Sequence, residues 1–420
     1  MTKSLRIPTS NTVAKKIQTS LEVVEFTILK YEKQKLGRSI QKPLNSGNLF
    51  KPKLKDQFMT MTAQKTAMAV ATGMLLATSV FAQTAPSVTL YGRIDLGLES
   101  ANDGAITRTM LQNYASRFGI KGERGVSNDL TGVFQVESAF SPEDGKAQNV
   151  AGNSGFLASR NSFVGLKSNS LGTFLAGNYD TPLKSLDAGG YAGTLFGEGE
   201  AMEIIIHGKG TKTSGSNFDN VHTRQTNNLV YLSPKFSDFV FKASYSPDEA
   251  QTTTTNQPLY SASLEWNNGT YNAGIATQSK AVSDKAFAMT ATKFTLGAKM
   301  ENLSGAIVVS SLDNQAASAV NSRKTTNTLL VLNYVDGAMT YKFNYGMSGE
   351  SASNAQDDLT MMALEAAYAL DKQTTLYGSY AQIMNNAKAK GTFTAADNFP
   401  ATSVAGNDPT AITFGIRYNF

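Results

Sequence analysis

Few residues in this chain could carry covalent or acid–base chemistry. Its 420 residues include no cysteine and only two histidines, His207 and His222. Thiolate metal sites and disulfide staples are therefore excluded, and histidine-based metal or proton chemistry has little to work with. A serine hydrolase needs a histidine held beside its nucleophile, and no Gly-x-Ser-x-Gly elbow occurs. His207-Gly208-Lys209-Gly210-Thr211 shares some composition with a phosphate loop, but it has neither the spacing nor the strand–helix setting. The expectation is no enzyme: no catalytic residue, no cofactor, no metal, and both histidines as polar loop residues.

The charged residues suit electrostatic work better. Arg93, Arg117 and Lys121 alternate with apolar neighbours, so in strands they would share the polar face. Asp180, Asp187, Glu198, Glu200 and Glu203 all fall in one Gly-rich stretch, from about 180 to 226, that shows no clean alternation. A connection of that length inside a compact domain is functional or disordered. Coming after a fifth strand, it could fold into the lumen of a barrel and narrow it.

Short alternating segments would position these charges. Val88, Leu90, Ile94, Leu96 and Leu98 oppose Thr89, Tyr91, Arg93, Asp95 and Glu99. At the far end, Ile412, Phe414, Ile416, Tyr418 and Phe420 oppose Thr413, Arg417 and Asn419. Met339 to Tyr345 and Tyr260 to Trp266 alternate in the same way. A soluble sandwich would alternate too, but here the polar face often carries full charges. The apolar face persists for about 9–11 residues, the length of a tilted membrane strand. Tyr231, Phe239, Tyr245, Tyr260, Trp266, Tyr271, Tyr334, Tyr345, Tyr368 and Tyr380 sit near expected strand ends, where aromatic girdles belong. In lipid an open sheet edge leaves backbone groups unsatisfied, so such strands must close into a barrel.

The reading is therefore all-β: a 16-stranded antiparallel transmembrane barrel with a long third loop folded into the lumen. Strand centres fall near 93, 117, 135, 163, 175, 229, 241, 262, 273, 295, 307, 331, 342, 365, 377 and 415, with the fifth, sixth and eleventh patterned least. Asn267-Asn268-Gly269 and Asp336-Gly337 are tight-turn chemistry. The stretches 246–257, 278–288, 346–358 and 384–408 read as long polar loops on the opposite side.

No run of 18 consecutive apolar residues could form a spanning helix. Lys65, the apolar Ala67–Val80 and the small residues of Val80-Phe81-Ala82 instead form an export signal over 59–82, cleaved after Ala82. Residues 1–58 read as an N-terminal extension foreign to the mature protein, and 83–420 as the barrel. The formal charge of +5 suggests an anionic partner. Yet residues 1–82 hold 13 basic and 4 acidic side chains, leaving 25 basic and 29 acidic beyond, a net of −4. Nucleic acid is excluded as a partner on that count.

Several stretches resemble the trimeric general porins of Gram-negative bacteria, of the beta-proteobacterial type. SVTLYGRIDLGLE (87–99) is similar to the family's first strand and SRFGIKGERGVSNDLTGVFQVESAF (116–140) to its second hairpin. SRNSFVGLKSNSLGTFLAGNYDTP (159–182) resembles the approach to its constriction loop. NNLVYLSP (227–234), ALDKQTTLYGSY (369–380) and FGIRYNF (414–420) follow in order. The resemblance implies a homotrimer in the lipid of the outer membrane, an inward third loop, and Phe420 as a signal to the barrel-assembly machinery. It also implies a basic wall opposed to an acidic loop. Arg117 and Lys121 match wall residues, as does Arg160, although Arg160 shares parity with Val164 and Leu166 and alternation leaves its facing open. These cations would face Asp180, Asp187, Glu198 and Glu203, with Glu200 and Arg93 also at the constriction. Arg93 stands where the family usually has an apolar or small residue. Asn178, Val230 and Leu232 replace residues that are commonly Arg or polar, which would weaken any preference for anions. For each charge the competing reading is a solvated lumen residue without a special role. The function implied is passive diffusion of small hydrophilic solutes and ions; the alternatives are a substrate-specific channel and a surface adhesin barrel.

Overall fold

A computed structural model describes residues 87–147, 157–187, 195–200, 205, 223–282, 287–314, 323–351, 356–396, 398–400 and 404–420. The extension (1–58), the export signal (59–82), Glu203 and both histidines lie outside the described residues. The wall begins with β1 (Ser87–Asn102), β2 in two pieces (Thr107–Asn113 and Arg117–Gly125), β3 (Leu130–Ser141) and β4 (Ser162–Ser168). It continues through β5 (Gly172–Asp180), β6 (Arg224–Leu232), β7 (Phe239–Ser246) and β8 (Leu259–Asn267). Then come β9 (Tyr271–Val282), β10 (Phe287–Met300), β11 (Leu303–Asn314) and β12 (Arg323–Asp336). The last four are β13 (Met339–Ser348), β14 (Leu359–Ala369), β15 (Thr374–Asn385) and β16 (Thr410–Asn419).

Each strand pairs antiparallel with the next, and β16 pairs with β1 from Arg93 opposite Asn419 to Asn102 opposite Thr410. Gly92 and Phe420 exchange both backbone hydrogen bonds at the foot of this seam. The sheet is thus a closed barrel, and all sixteen expected strand centres fall within these strands.

Alternation explains which side of the wall is which. Val88, Leu90, Ile94, Leu98, Ile275, Phe294, Ile307, Leu364, Ile412 and Phe414 are exposed on the outer face. Asp95, Glu99, Lys293, Asn344, Glu365 and Thr413 are buried on the inner one. An outer face that is apolar all round belongs in lipid. Phe294→Arg should therefore cost about 2–4 kcal/mol where it meets the bilayer midplane. Urea unfolding in lipid vesicles would measure the loss, and an unchanged midpoint would contradict a lipid-facing Phe294.

Three features depart from the alternating picture. The strand expected around 117 breaks at Tyr114-Ala115-Ser116, where Ala115 adopts φ +58. Tyr114 leaves the ladder because its hydroxyl reaches inward to Glu99, 2.5 Å away. The loop expected over 278–288 is shorter, since Gln278 to Val282 stay in register with Ala291 to Phe287. Its polarity signals an inward-facing strand end, not a loop. Finally, the inner face carries an apolar patch on β11, β12, β14 and β15, where Val308, Val331, Met361, Ala363 and Ile383 are buried among polar residues such as Asn327 and Asn344. They stay dry because Leu195, Ile205 and Phe393, from two of the connections, pack on them.

A short helix α1 (Pro182–Ser185) follows β5, capped by the Thr181 hydroxyl. Leu183 and Leu186 pack against Ala276, Met289, Ala291 and Leu312 on the inner wall. The Leu183 amide donates to Ser261 Oγ at 3.0 Å, and Lys293 Nζ donates to the Leu186 carbonyl at 2.9 Å.

Candidate functional site

One side of the inner wall is built from cations. Arg93 and Arg117 are Cα partners across β1 and β2. Like charges directly opposite one another destabilise a ladder, so this pair needs either accommodation or a purpose. Arg93 is accommodated by the break in β2: its guanidinium donates to the freed carbonyls of Tyr114 (3.3 Å) and Ala115 (3.4 Å). Arg117 makes no ion pair within 4 Å among the described residues, and it lies within electrostatic range of Arg160, Glu137, Arg417 and Arg224.

Neighbouring strands extend the group. Tyr91, Gly119 and Glu137 lie in one row across β1, β2 and β3. Gly119 leaves room for the Tyr91 ring, since a Cβ there would come within 2.5 Å of it. Glu137 accepts from the Tyr91 hydroxyl at 2.9 Å and from Arg160 Nε at 2.6 Å. The Lys121 ammonium stands 5.1 Å from the centre of the Tyr91 ring. Further round, Asp180 faces Arg224 in register and meets its guanidinium at 3.2 Å, with Lys184 at 3.5 Å. Asn161 bridges the two, donating to Asp180 at 2.8 Å and accepting from Arg224 at 2.7 Å.

The long connection between β5 and β6, the third loop of the sequence reading and here called the third connection, contacts a different sector through Phe196 to Gly199. The Phe196 amide donates to Glu365, which also pairs with Lys342 at 2.9 Å. Its ring lies between Lys342 Nζ (4.1 Å) and the Arg417 guanidinium (3.8 Å), and packs on Tyr377. Gly197 turns with φ +61, and a Cβ there would come within 2.7 Å of Ser379 Oγ. This tight, left-handed turn suits glycine. Asn344 Nδ2 donates to the Gly199 carbonyl at 3.2 Å. Glu198 is wholly buried and accepts from the amides of Ala395 and Ala396, each at 3.0 Å. Burial, with the nearby Glu99 carboxylate adding to it, holds the Glu198 carboxyl well above the ordinary carboxylate range.

The expected opposition of Arg117, Lys121 and Arg160 to a row of loop carboxylates takes a different form. Asp180 does meet cations, but they are Arg224 of the wall and Lys184 of helix α1. Arg160 is paired with Glu137, a wall residue. Glu198 faces the connection before the last strand, because backbone amides nearly two hundred residues away supply its hydrogen bonds. Asp187 is exposed and Glu200 partly so, while Glu203 lies outside the described residues. The sequence reading missed Arg224, Lys342, Glu137, Glu365 and Phe196 as site residues. Simple parity could have flagged Asp95, Glu99 and Arg417, which share the polar face of their strands; nothing local marks Phe196.

The sequence profile of the Gram-negative porins matches residues 66–388, well over half of the chain. The major outer membrane protein P.IB of Neisseria lactamica is 25% identical over 360 residues, covering 79% of this chain and 94% of that protein. The outer membrane porin protein 32 of Delftia acidovorans is 26% identical over 365 residues, 82% of this chain and 97% of that one. Among solved structures, the anion-selective porin from Comamonas acidovorans superposes with a TM-score of 0.68 at 22% identity. The match spans 80% of this chain and all of that one. The trimer form of Vibrio cholerae OmpT superposes at 0.58 with 18% identity, over 80% of this chain and all of its own. With a closed sixteen-stranded barrel, a lipid-facing exterior and a charged interior, the chain belongs to the Gram-negative porin family.

Proposed function

We propose that small hydrophilic solutes and ions cross this outer-membrane porin passively, along a path bounded by the cationic wall and the third connection. The supporting observation is a local cluster of cations: Arg93, Arg117, Arg160, Arg224 and Arg417 lie within electrostatic range of one another and meet three carboxylates, Asp95, Glu137 and Asp180, while Glu99 is held further along β1 by Tyr114, Gln112 and Thr413. That sector therefore keeps a positive excess. A narrow polar channel in low-dielectric surroundings focuses such a field. The path should therefore prefer anions, as the Comamonas acidovorans porin, named for its anion selectivity, does. The third connection narrows the bore by resting on the inner wall at Phe196.

The same reading includes cleavage after Ala82, an N-terminal extension that the mature protein lacks, and assembly as a homotrimer in the lipid of the outer membrane. Phe420, which closes the β1–β16 seam, is where the assembly machinery would recognise the last strand. Protein refolded from residue 83 and placed in planar bilayers tests these points together. Large conductance steps closing in threes, with a reversal potential of anionic sign in a salt gradient, are expected. Folded protein that passes no current would overturn the pore, and saturable flux of one solute would replace it with a specific channel.

A further inference from the structure

Two cross-strand ion pairs stand on the inner wall under the tip of the third connection. Lys342 of β13 lies opposite Glu365 of β14, and Asp95 of β1 lies opposite Arg417 of β16. Their closest nitrogen–oxygen distances are 2.9 and 2.5 Å. Both carboxylate side chains are wholly covered, whereas Lys342 keeps 10% of its side-chain surface and Arg417 keeps 17%. The cations are thus the less covered ends of these pairs, and on an inner wall that surface faces the lumen.

One ring covers both. Lys342 Nζ stands 4.1 Å and the Arg417 guanidinium 3.8 Å from the centre of the Phe196 ring. An apolar ring that needed only cover already has Tyr377 and Ala367 to pack on, so the two cations call for a reason of their own. The face of an aromatic ring is its negative side, so cations hold it although it carries no charge. A carboxylate in the same place would put a new charge at the lumen, whereas a neutral ring only displaces water and solutes from the cations. Glu198 supplies no such charge, because its oxygens are turned to the amides of Ala395 and Ala396. The backbone keeps the ring in place: Gly197 turns with φ +61 against Ser379 and Thr413, and Asn344 holds the Gly199 carbonyl.

We propose that Phe196 is a specificity-determining residue that shields Lys342 and Arg417 from passing ions, so that anions meet Arg93, Arg117, Arg160 and Arg224 directly and this second set not at all. Each shielded pair is neutral as a whole. Uncovering it would add a dipole with its positive end toward the path, a weaker influence than an unpaired arginine. The consequence for selectivity rests on the pore reading above; the shield itself does not.

The shield can be read without any current. Sulfosuccinimidyl acetate, a membrane-impermeant reagent that acylates lysine, should label the exposed Lys121 quickly and Lys342 slowly when the digest is followed by mass spectrometry. Phe196→Ala should speed labelling of Lys342 by about tenfold, the scale set by losing desolvated cation–π contacts. Lys293 is the internal control, since it is 2% exposed and bonded to the Leu186 carbonyl near the start of the same connection. It should stay unlabelled; labelling of both lysines would mean that the whole connection had lifted, and would overturn a role specific to Phe196. In bilayers with a salt gradient, Phe196→Ala should raise the anion-to-cation permeability ratio by about 1.5-fold. Labelling of Lys342 as fast as that of Lys121 with Phe196 intact would overturn the proposal, whether or not the variant folds. So would unchanged labelling of Lys342 in a folded Phe196→Ala barrel. Faster labelling with an unchanged permeability ratio in a conducting channel would remove Phe196 from selectivity. If the unaltered protein passes no current while Lys342 labelling still depends on Phe196, the pore reading fails and the shield stands.

Discussion

Arg117→Glu is expected to move the reversal potential toward that of a cation-preferring pore. The shift should be on the order of 20 mV in a tenfold salt gradient, where perfect selectivity gives about 59 mV. Two units of charge change at a side chain that makes no ion pair within 4 Å among the described residues, with Arg160, Glu137, Arg417 and Arg224 all within electrostatic range. The new carboxylate would also sit opposite Arg93 in the ladder, converting a repulsive pair into an attractive one. The variant should thus fold at least as well as the original, so any change in selectivity reads as electrostatics. Lys121→Glu should shift the potential less, because Lys121 is exposed beside Tyr91. Arg160→Glu is the wrong test, since it would strip Glu137 of its partner. Identical reversal potentials for Arg117→Glu and the unaltered protein would remove Arg117 from the ion path.

The largest effect on stability is expected from Asp95. This side chain is wholly buried on β1 and pairs with Arg417 of β16, whose Nε and Nη2 stand 2.6 and 2.5 Å away. It also accepts from the Tyr377 hydroxyl of β15 at 2.9 Å, while its backbone amide donates to Ser116 Oγ at 3.0 Å. One carboxylate therefore joins β1 to the two strands that close the barrel. Asp95→Ala leaves a nearly buried guanidinium without its anion, and breaking such a pair costs roughly 3–5 kcal/mol. The temperature at which the folded form is lost on gels should drop accordingly. Replacing both partners, Asp95→Leu with Arg417→Met, should recover much of the loss, because a buried pair and its apolar substitute are often near parity. A single variant as stable as the original would show that the seam does not depend on this pair.

The wall was legible because β-strand geometry is written locally. Side chains alternate with period two, so one residue in lipid forces the next inward, whatever the rest of the chain does. That marked the sixteen strands and the inward direction of Arg93, Arg117 and Lys121; the class and the lipid face needed in addition the charged polar faces, the strand length of about 9–11 residues and the aromatic strand ends. The same rule erred where a residue inside the barrel obeys a partner rather than its parity. Tyr114 breaks β2 to reach Glu99, which the alternation around 117 could not anticipate.

What the sequence by itself determined was therefore the barrel and the sign of its faces. Tertiary structure decided which charges meet. Asp180 turned to Arg224, reached across a connection of more than forty residues, and Arg160 to Glu137. Phe196 slid between Lys342 and Arg417, and Glu198 found its donors at Ala395 and Ala396. A connection without period-two alternation carries no rule for where its side chains point, and its partners are chosen by contacts between residues far apart in the chain. Closure of the sheet brings β1 against β16 and folds the connections onto one inner surface, and only then do those contacts exist.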